Sequence, residues 1–360
     1  MSVKSIIISG GGTGGHIYPA LAVGRKLKER DSAVVLTFVG TGREVERQII
    51  EQSGLAFIPL RIEGLKGKGM KTLKSLFLLP FSFVKSLAIL RRLQPRLVIG
   101  TGSYSSGPVV LLASLKKIPT LILEQNVHPS LTNRLLRRWV RKAVVAFEAT
   151  LPAFKGKGLL LGNPVRDEFY GLEPKVRDGK LTLLVFGGSQ GSRFLNQAVT
   201  TTLSLFAGEA GRLVVTHQTG TADAEWVRQR YEEYGFGNAT VAPYFHDMAG
   251  CFRKADLIIC RAGATTIAEL VAGRKAAVLI PFAGAAEDHQ TWNARELERI
   301  GAADVVLEAE FNPELLAQKI RHFLINMDEI TSREKKLAAL RISKPAEKIA
   351  DLCFELMGTD

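Results

Sequence analysis

The sequence predicts an α/β chain of two doubly wound domains facing a cleft. Three observations predict it. Short β-branched runs alternate with amphipathic, helix-like stretches, the pattern of parallel sheets covered on both faces. The pattern restarts in mid-chain: Ile6-Ile7-Ile8-Ser9-Gly10-Gly11-Gly12-Thr13-Gly14-Gly15 is echoed by Leu183-Leu184-Val185-Phe186-Gly187-Gly188-Ser189-Gln190-Gly191-Ser192. Each is an apolar strand entering a glycine-rich turn and then a helix, so both domains are expected to be Rossmann-like. Finally, 360 residues are too many for one ordinary core and suit two.

The expected strands are 5–9, 33–39, 97–99, 120–123, 143–146, 181–186, 212–216, 257–260 and 277–280, with helices over 19–29 and 264–272 among those that follow them. The stretch 154–180, rich in glycine, proline and charge, reads as the linker. Domains are therefore expected at 1–161 and 162–342.

Composition narrows the function. Lys and Arg exceed Asp and Glu by 48 to 35, a net charge of +13, which implies an anionic partner: nucleic acid, an acidic membrane surface or a phosphorylated substrate. Nucleic acid is disfavoured, because no aromatic stacking surface or recognised motif accompanies the charge. Three unpatterned cysteines, Cys251, Cys260 and Cys353, argue against a disulfide framework or metal site and are expected to be buried thiols. The six histidines lack ligand spacing. No signal peptide is read at the N-terminus, and the apolar stretch 76–90 is broken by Pro80, Ser82, Lys85 and Ser86, so it is not expected to span a bilayer.

Three glycine or small-residue turns carry the candidate chemistry. In Gly10–His16, glycines let the backbone approach a ligand, and the helix expected to start near Ile17-Tyr18-Pro19 offers free N–H groups and a dipole to a phosphate. A dinucleotide site would place an acid at the end of the second strand, yet Val39-Gly40-Thr41-Gly42-Arg43 has none, which weakens a dehydrogenase reading. His16 either packs at the helix start or serves as base or hydrogen-bond donor to a reacting hydroxyl. The segment Gly100-Thr101-Gly102-Ser103-Tyr104 is expected to face the same sheet edge and to join in holding a diphosphate.

The third turn, Arg261-Ala262-Gly263-Ala264-Thr265, opens a helix that can take another phosphate. Glu269 is either a surface acid or the acceptor of two ribose hydroxyls. Glu287–Asn293, Asn126 and Asn163 cannot be placed by spacing alone. Arg166 has the rigid fork that matches phosphate. Over 65–92, Lys66, Lys68, Lys71, Lys74 and Lys85 surround Leu73, Leu76, Phe77, Leu78, Leu79, Phe81, Phe83 and Val84. A core helix with a basic flank is one reading, and contact with an anionic membrane surface is the preferred one.

Together these motifs resemble the family 28 glycosyltransferases that complete the lipid-linked disaccharide of peptidoglycan. The resemblance runs over essentially the whole chain. It is carried by Gly11–His16, Gly100–Tyr104, Glu124-Gln125-Asn126, Gly162–Arg166, Gly187–Ser192, Arg261–Ala264 with Glu269, and His289-Gln290 with Trp292-Asn293-Ala294. It implies the GT-B fold, with a C-terminal helix, 343–360, packed back on the N-terminal domain. It implies an enzyme that moves N-acetylglucosamine, with inversion, from UDP-N-acetylglucosamine to the C4 hydroxyl of undecaprenyl-pyrophosphoryl-muramyl-pentapeptide.

The resemblance further implies donor contacts at Thr13, Gly14, Gly15, Asn126, Arg166, Ser189 and Gln290. Met248 would lie at the uracil, Ala264 and Thr265 at the diphosphate, Glu269 at the ribose and Gln290, or His289 beside it, at the sugar. Acceptor contacts would be Gly12, His16, Gly102, Ser103 and Tyr104, with a catalytic base near His16. No cofactor is expected to be required, and stimulation by a divalent metal is compatible with this. The implied place is the cytoplasmic face of the bacterial plasma membrane, peripherally bound, with other cell-wall synthesis proteins as further partners. Rival readings are a diacylglycerol glycosyltransferase, a UDP-N-acetylglucosamine epimerase and a nonenzymatic nucleotide-binding or membrane-attached protein.

Overall fold

A computed structural model describes residues 4–11, 14–60, 70–177 and 179–358. The chain divides into two units, Met1–Val165 with Lys344–Asp360, and Arg166–Ser343.

The first unit carries β1 (Lys4–Ser9), α1 (Gly14–Arg30), β2 (Val34–Gly40), α2 (Glu44–Gln52), β3 (Ala56–Pro59), α3 (Met70–Leu93), β4 (Leu97–Gly100), α4 (Ser106–Leu115), β5 (Thr120–Glu124), α5 (Leu131–Leu136), β6 (Lys142–Val145) and β7 (Gly158–Leu160). Its sheet is parallel in the order β3-β2-β1-β4-β5-β6-β7. The central strands are apolar on both faces because both faces are covered. Ile6, Ile8, Ile99 and Leu123 pack under α1 through Ile17, Ala20 and Val23. Ile7, Val98 and Ile122 face the opposite way, against Val109 and Val110 of α4 and Ile89 and Leu90 of α3.

The second unit carries β8 (Leu181–Phe186), α6 (Arg193–Ser204), β9 (Leu213–Gln218), α7 (Ala224–Glu233), β10 (Thr240–Ala242), α8 (Met248–Lys254), β11 (Leu257–Cys260), α9 (Ala264–Gly273), β12 (Ala277–Leu279), α10 (His289–Arg299), β13 (Ala303–Val305), α11 (Pro313–Ile325) and α12 (Met327–Leu340). Its parallel sheet runs β10-β9-β8-β11-β12-β13. The last helix, α13 (Pro345–Leu356), returns to the first unit, where Ile349, Ala350 and Cys353 join the α1 face of the core.

Each sheet thus reverses its strand order once, between β1 and β4 and between β8 and β11. Ligands of open α/β sheets bind at the carboxyl ends of the strands flanking such a reversal.

Several expectations need correction. The stretch 154–180 is not all linker: β7 adds an edge strand to the first sheet, and Phe169 and Leu172 are buried in the second unit. The second unit begins at Arg166 rather than at 162, with Arg166 in the second unit as expected. Helix α1 starts at Gly14, which places Pro19 inside it rather than in its first turn. Cys260 and Cys353 are buried, but Cys251 is partly exposed.

Candidate functional site

In the first unit the two glycine-rich turns meet. Thr101 N–H donates to the Ser9 carbonyl at 2.9 Å, and Ser105 Oγ donates to the Gly10 carbonyl at 2.8 Å. A Cβ on Gly10 would lie 2.2 Å from Thr101 Oγ1, so only glycine permits this approach. Gly102, at φ +87°, passes so close to Asn133 Nδ2 and Ser130 Oγ that a Cβ would meet them at 2.8 and 2.9 Å. Ser103 is buried, its Oγ 2.8 Å from Ser105 Oγ, and Tyr104 is partly exposed. Gly14, Gly15 and His16 form the first turn of α1. Gly12 and Thr13 lie outside the described residues.

Behind these turns sits Glu124, buried at the end of β5. It accepts from the N–H groups of Asn126 and Ser130 at 3.0 and 2.9 Å and from Asn133 Nδ2 at 2.9 Å. Burial pushes its carboxyl above the usual range, and these hydrogen bonds oppose the shift. Glu124 therefore shapes the loop that presents Asn126. Thr101 Oγ1 and both amide atoms of Gln125 are buried with no hydrogen-bond partner.

An acid does return to the end of β2. Glu46, buried, accepts from Thr41 N–H at 3.1 Å with both oxygens and also takes the Thr41 hydroxyl. A Cβ on Gly11 or on Gly40 would meet its Oε1 at 1.9 Å. Both oxygens are committed to the loop, so Glu46 is not open to a ribose in the manner of a dinucleotide site.

In the second unit the turns after β8 and β11 are joined by Arg261. Its Nε and Nη2 donate to Ser192 Oγ at 3.1 and 2.8 Å. Ser189 is exposed in the first of these turns. Ala264 and Thr265 open α9, whose Ncap residue is Gly263. Thr265 Oγ1 is buried without a hydrogen-bond partner. Met248, buried, opens α8 after Asp247, whose carboxylate accepts from Gly250 N–H at 2.7 Å.

Glu269 lies one and a half turns into α9 and is partly buried. Desolvation pushes its carboxyl up to about 7, and the Arg166 guanidinium pulls it back down. The two candidate donor residues are thus brought into one field. Arg166 itself is exposed and stacks over Phe169 at 5.1 Å.

Gln290 is separated from His289 by its bonding. Its Oε1 accepts from the N–H groups of Ala262 and Phe282 at 3.1 and 3.0 Å, leaving the Nε2 end to donate to a ligand. His289 Nδ1 instead donates to the Ala286 carbonyl at 2.6 Å. Asn293 supports the same turn by donating to the Ala262 carbonyl at 3.2 Å.

Sequence reasoning assigned no role to Arg261, Glu46 or Asn133. A buried Arg beside small residues carries no distinctive spacing, so no local signal could have found its partners. Over 65–92, Lys66 and Lys68 lie outside the described residues, as do the side chains of Lys71, Leu73, Lys74, Leu76, Phe77, Leu78 and Leu79. In the remainder of α3, Ser82, Ser86, Ile89 and Leu90 are buried, whereas Phe81 is 76 % and Val84 69 % exposed. Among the described residues no helix is long and apolar enough to cross a membrane, and no group of three His, Cys, Asp or Glu is arranged to hold a metal ion.

Similarity to known proteins agrees with this geometry. Residues 6–145 match the glycosyltransferase family 28 N-terminal domain and residues 182–352 its C-terminal domain. A Myxococcus xanthus protein named UDP-N-acetylglucosamine--N-acetylmuramyl-(pentapeptide) pyrophosphoryl-undecaprenol N-acetylglucosamine transferase is 42 % identical over 359 residues, covering 99 % of this chain and 94 % of its own. A Syntrophotalea carbinolica protein of the same name is 39 % identical, covering 99 % of both. The crystal structure of Acinetobacter baumannii MurG superposes with a TM-score of 0.82 at 29 % identity, covering 98 % of this chain and 99 % of that one. A putative UDP-N-acetylglucosamine 2-epimerase from Listeria monocytogenes, 12 % identical with a TM-score of 0.66 over 99 % of this chain and 98 % of its own, shares the fold alone. Matched over both of its domains, this chain belongs to glycosyltransferase family 28.

Proposed function

We propose that this protein transfers N-acetylglucosamine from UDP-N-acetylglucosamine to the C4 hydroxyl of undecaprenyl-pyrophosphoryl-muramyl-pentapeptide. The observation that carries the reading is the full-length likeness to proteins bearing that name, together with two switch-point edges built for anionic ligands. The second unit takes the donor. The α9 N-terminus at Ala264 and Thr265 and the turn at Ser189 hold the diphosphate, with Arg166 supplying charge. Glu269 accepts the ribose hydroxyls, Met248 lies against the uracil, and Gln290 donates to a sugar hydroxyl. From the first unit, Thr13, Gly14, Gly15 and Asn126 complete the donor set. The acceptor diphosphate is held at Gly12, Gly102, Ser103 and Tyr104.

The reaction is a displacement at the anomeric carbon. The muramyl C4 oxygen forms the new bond to C1 from the face opposite UDP. The bond from C1 to the diphosphate oxygen breaks, and UDP leaves with the electron pair. His16 takes the hydroxyl proton. Helix N-termini and Arg166 stabilise the charge that grows on the diphosphate. These groups supply the neutralisation, so a divalent ion is at most a stimulator. Phe81, Val84 and the neighbouring exposed Lys85 form part of a basic, apolar face that docks on anionic lipid at the cytoplasmic side of the plasma membrane.

The test is to mix the purified protein with labelled UDP-N-acetylglucosamine and a short-chain lipid I analogue. Label on the analogue with stoichiometric UDP is the expected result. Epimer formation, or label on diacylglycerol instead, sinks the assignment while keeping the fold.

A further inference from the structure

Arg261 looks at first like a diphosphate ligand, since it precedes the α9 N-terminus. Its bonding says otherwise. Besides the two bonds to Ser192 Oγ, Nη1 donates to the carbonyls of Ile280 and Pro281 at 3.0 and 3.1 Å. A guanidinium has five N–H groups in a planar fork, so four are spent inside the domain and no bidentate fork remains for a phosphate. The rings of Phe194 and Phe282 each lie 5.5 Å from the guanidinium carbon.

The bonds tie together three segments. Ser192 closes the turn that carries Ser189. Arg261 itself leads into Ala264 and Thr265. Ile280 and Pro281 begin the segment that ends at Gln290. Every candidate contact to the donor diphosphate and sugar in this unit, Arg166 apart, hangs on this knot.

A buried cation needs a counter-charge, because leaving it alone in a low-dielectric interior is costly. Here that charge is Glu308, in the 3-10 turn Glu308–Glu310 that follows β13. Its Oε1 lies 2.5 Å from Arg261 Nη1, as an ion contact rather than an aligned hydrogen bond. Among the described residues neither group has another ion pair. Burial lowers the affinity of Arg261 for its proton, and Glu308 is the largest influence restoring it.

We infer that Glu308 is a positioning residue for the donor site: it holds the Arg261 guanidinium against Ser192 and the Ile280–Pro281 carbonyls, and so keeps the three donor segments in register. This rests on the donor reading of the second unit. Without the carboxylate, the buried guanidinium loses its counter-charge and shifts toward solvent, releasing Ser192 and the segment leading to Gln290.

The test compares Glu308→Gln with the exposed neighbour Glu310→Gln, using UDP-N-acetylglucosamine with a lipid I analogue, and UDP alone in calorimetry. Misplacing binding groups by about an ångström costs on the order of tenfold to a hundredfold. Glu308→Gln is expected to raise the donor KM and the UDP Kd at least about tenfold while leaving the acceptor KM unchanged; Glu310→Gln changes neither. Arg261→Lys, which keeps the charge but loses the fork, is expected to show the same donor-specific loss. Should Glu308→Gln fold poorly, Glu308→Asp keeps the charge on a shorter stem and is expected to lose donor affinity to a smaller degree. A lowered melting temperature with unchanged donor KM and UDP Kd makes Glu308 merely structural and overturns the inference. Tighter UDP binding also overturns it, because Glu308 would then only be subtracting positive charge. If the wild type itself does not bind UDP, the donor reading fails, and this assignment falls with it.

Discussion

With Glu269 proposed as the acceptor of the ribose hydroxyls, its raised carboxyl predicts that donor binding is a proton-linked event. Burial holds it at about 7, against an ordinary 4.5. A carboxyl whose folded value is raised binds its proton more tightly folded than unfolded, so it favours folding while protonated. That advantage is full below about 4.5 and is lost as pH rises toward about 7. The gap corresponds to about 3 kcal/mol, and the partial exposure of Glu269 screens this to roughly half.

A ribose diol donates two hydrogen bonds and so favours the charged carboxylate. Binding of UDP-N-acetylglucosamine must then expel the proton wherever the free protein holds one. With a value of about 7, roughly 0.9 of a proton should be released at pH 6 and roughly 0.1 at pH 8, and the Kd should tighten about tenfold between them. Calorimetric titrations of UDP-N-acetylglucosamine in two buffers of different ionisation enthalpy measure the release directly. The intact donor suits the assay because its diphosphate has no group titrating in this range. Glu269→Gln should abolish the release and flatten the pH dependence. Release that persists undiminished in Glu269→Gln would refute the reasoning, and so would its absence at pH 6 in the wild type.

Other outcomes follow from the same geometry. His16→Ala should lower kcat by roughly 10²- to 10⁴-fold with a much smaller change in donor KM, as read by steady-state kinetics; unchanged turnover removes it as the base. Replacing exposed Phe81 and Val84 by serine should weaken pelleting with anionic vesicles, leave turnover on a soluble acceptor analogue intact, and shift stability by less than about 0.5 kcal/mol. A large drop in melting temperature would return these side chains to the core. Gly102→Ala should destabilise by more than about 1 kcal/mol, because φ is +87° and a Cβ would press on Asn133 and Ser130; denaturant titration that shows no loss contradicts the close packing of this turn on Ser130 and Asn133.

The central strands were readable because burial on both faces demands apolar runs: β8 and β11 occupy the expected residues, and β1 and β5 lie within one. The edge strands β3, β7, β10 and β13 were not foreseen. Each has three or four residues of mixed character, and only pairing with a neighbour makes it a strand. That is also why 154–180 looked like a linker, although β7 belongs to the sheet.

For the site, the sequence by itself determined which residue types stand at the strand ends. Glycines and small polar residues before helices are a local requirement of close backbone approach, so Gly10, Gly102, Ser189, Ala264 and Thr265 could be named without a fold. Only the tertiary structure decided how these residues are held and charged. Glu46 returns to Thr41, Glu124 gathers the Asn126–Asn133 loop, Gln290 turns its oxygen onto Ala262 and Phe282, and Glu308 finds Arg261 from 47 residues away. Desolvation of Glu269 is likewise a property of what packs around it. Hydrogen-bond partners and burial depend on contacts between distant segments, and no local spacing in the chain encodes them.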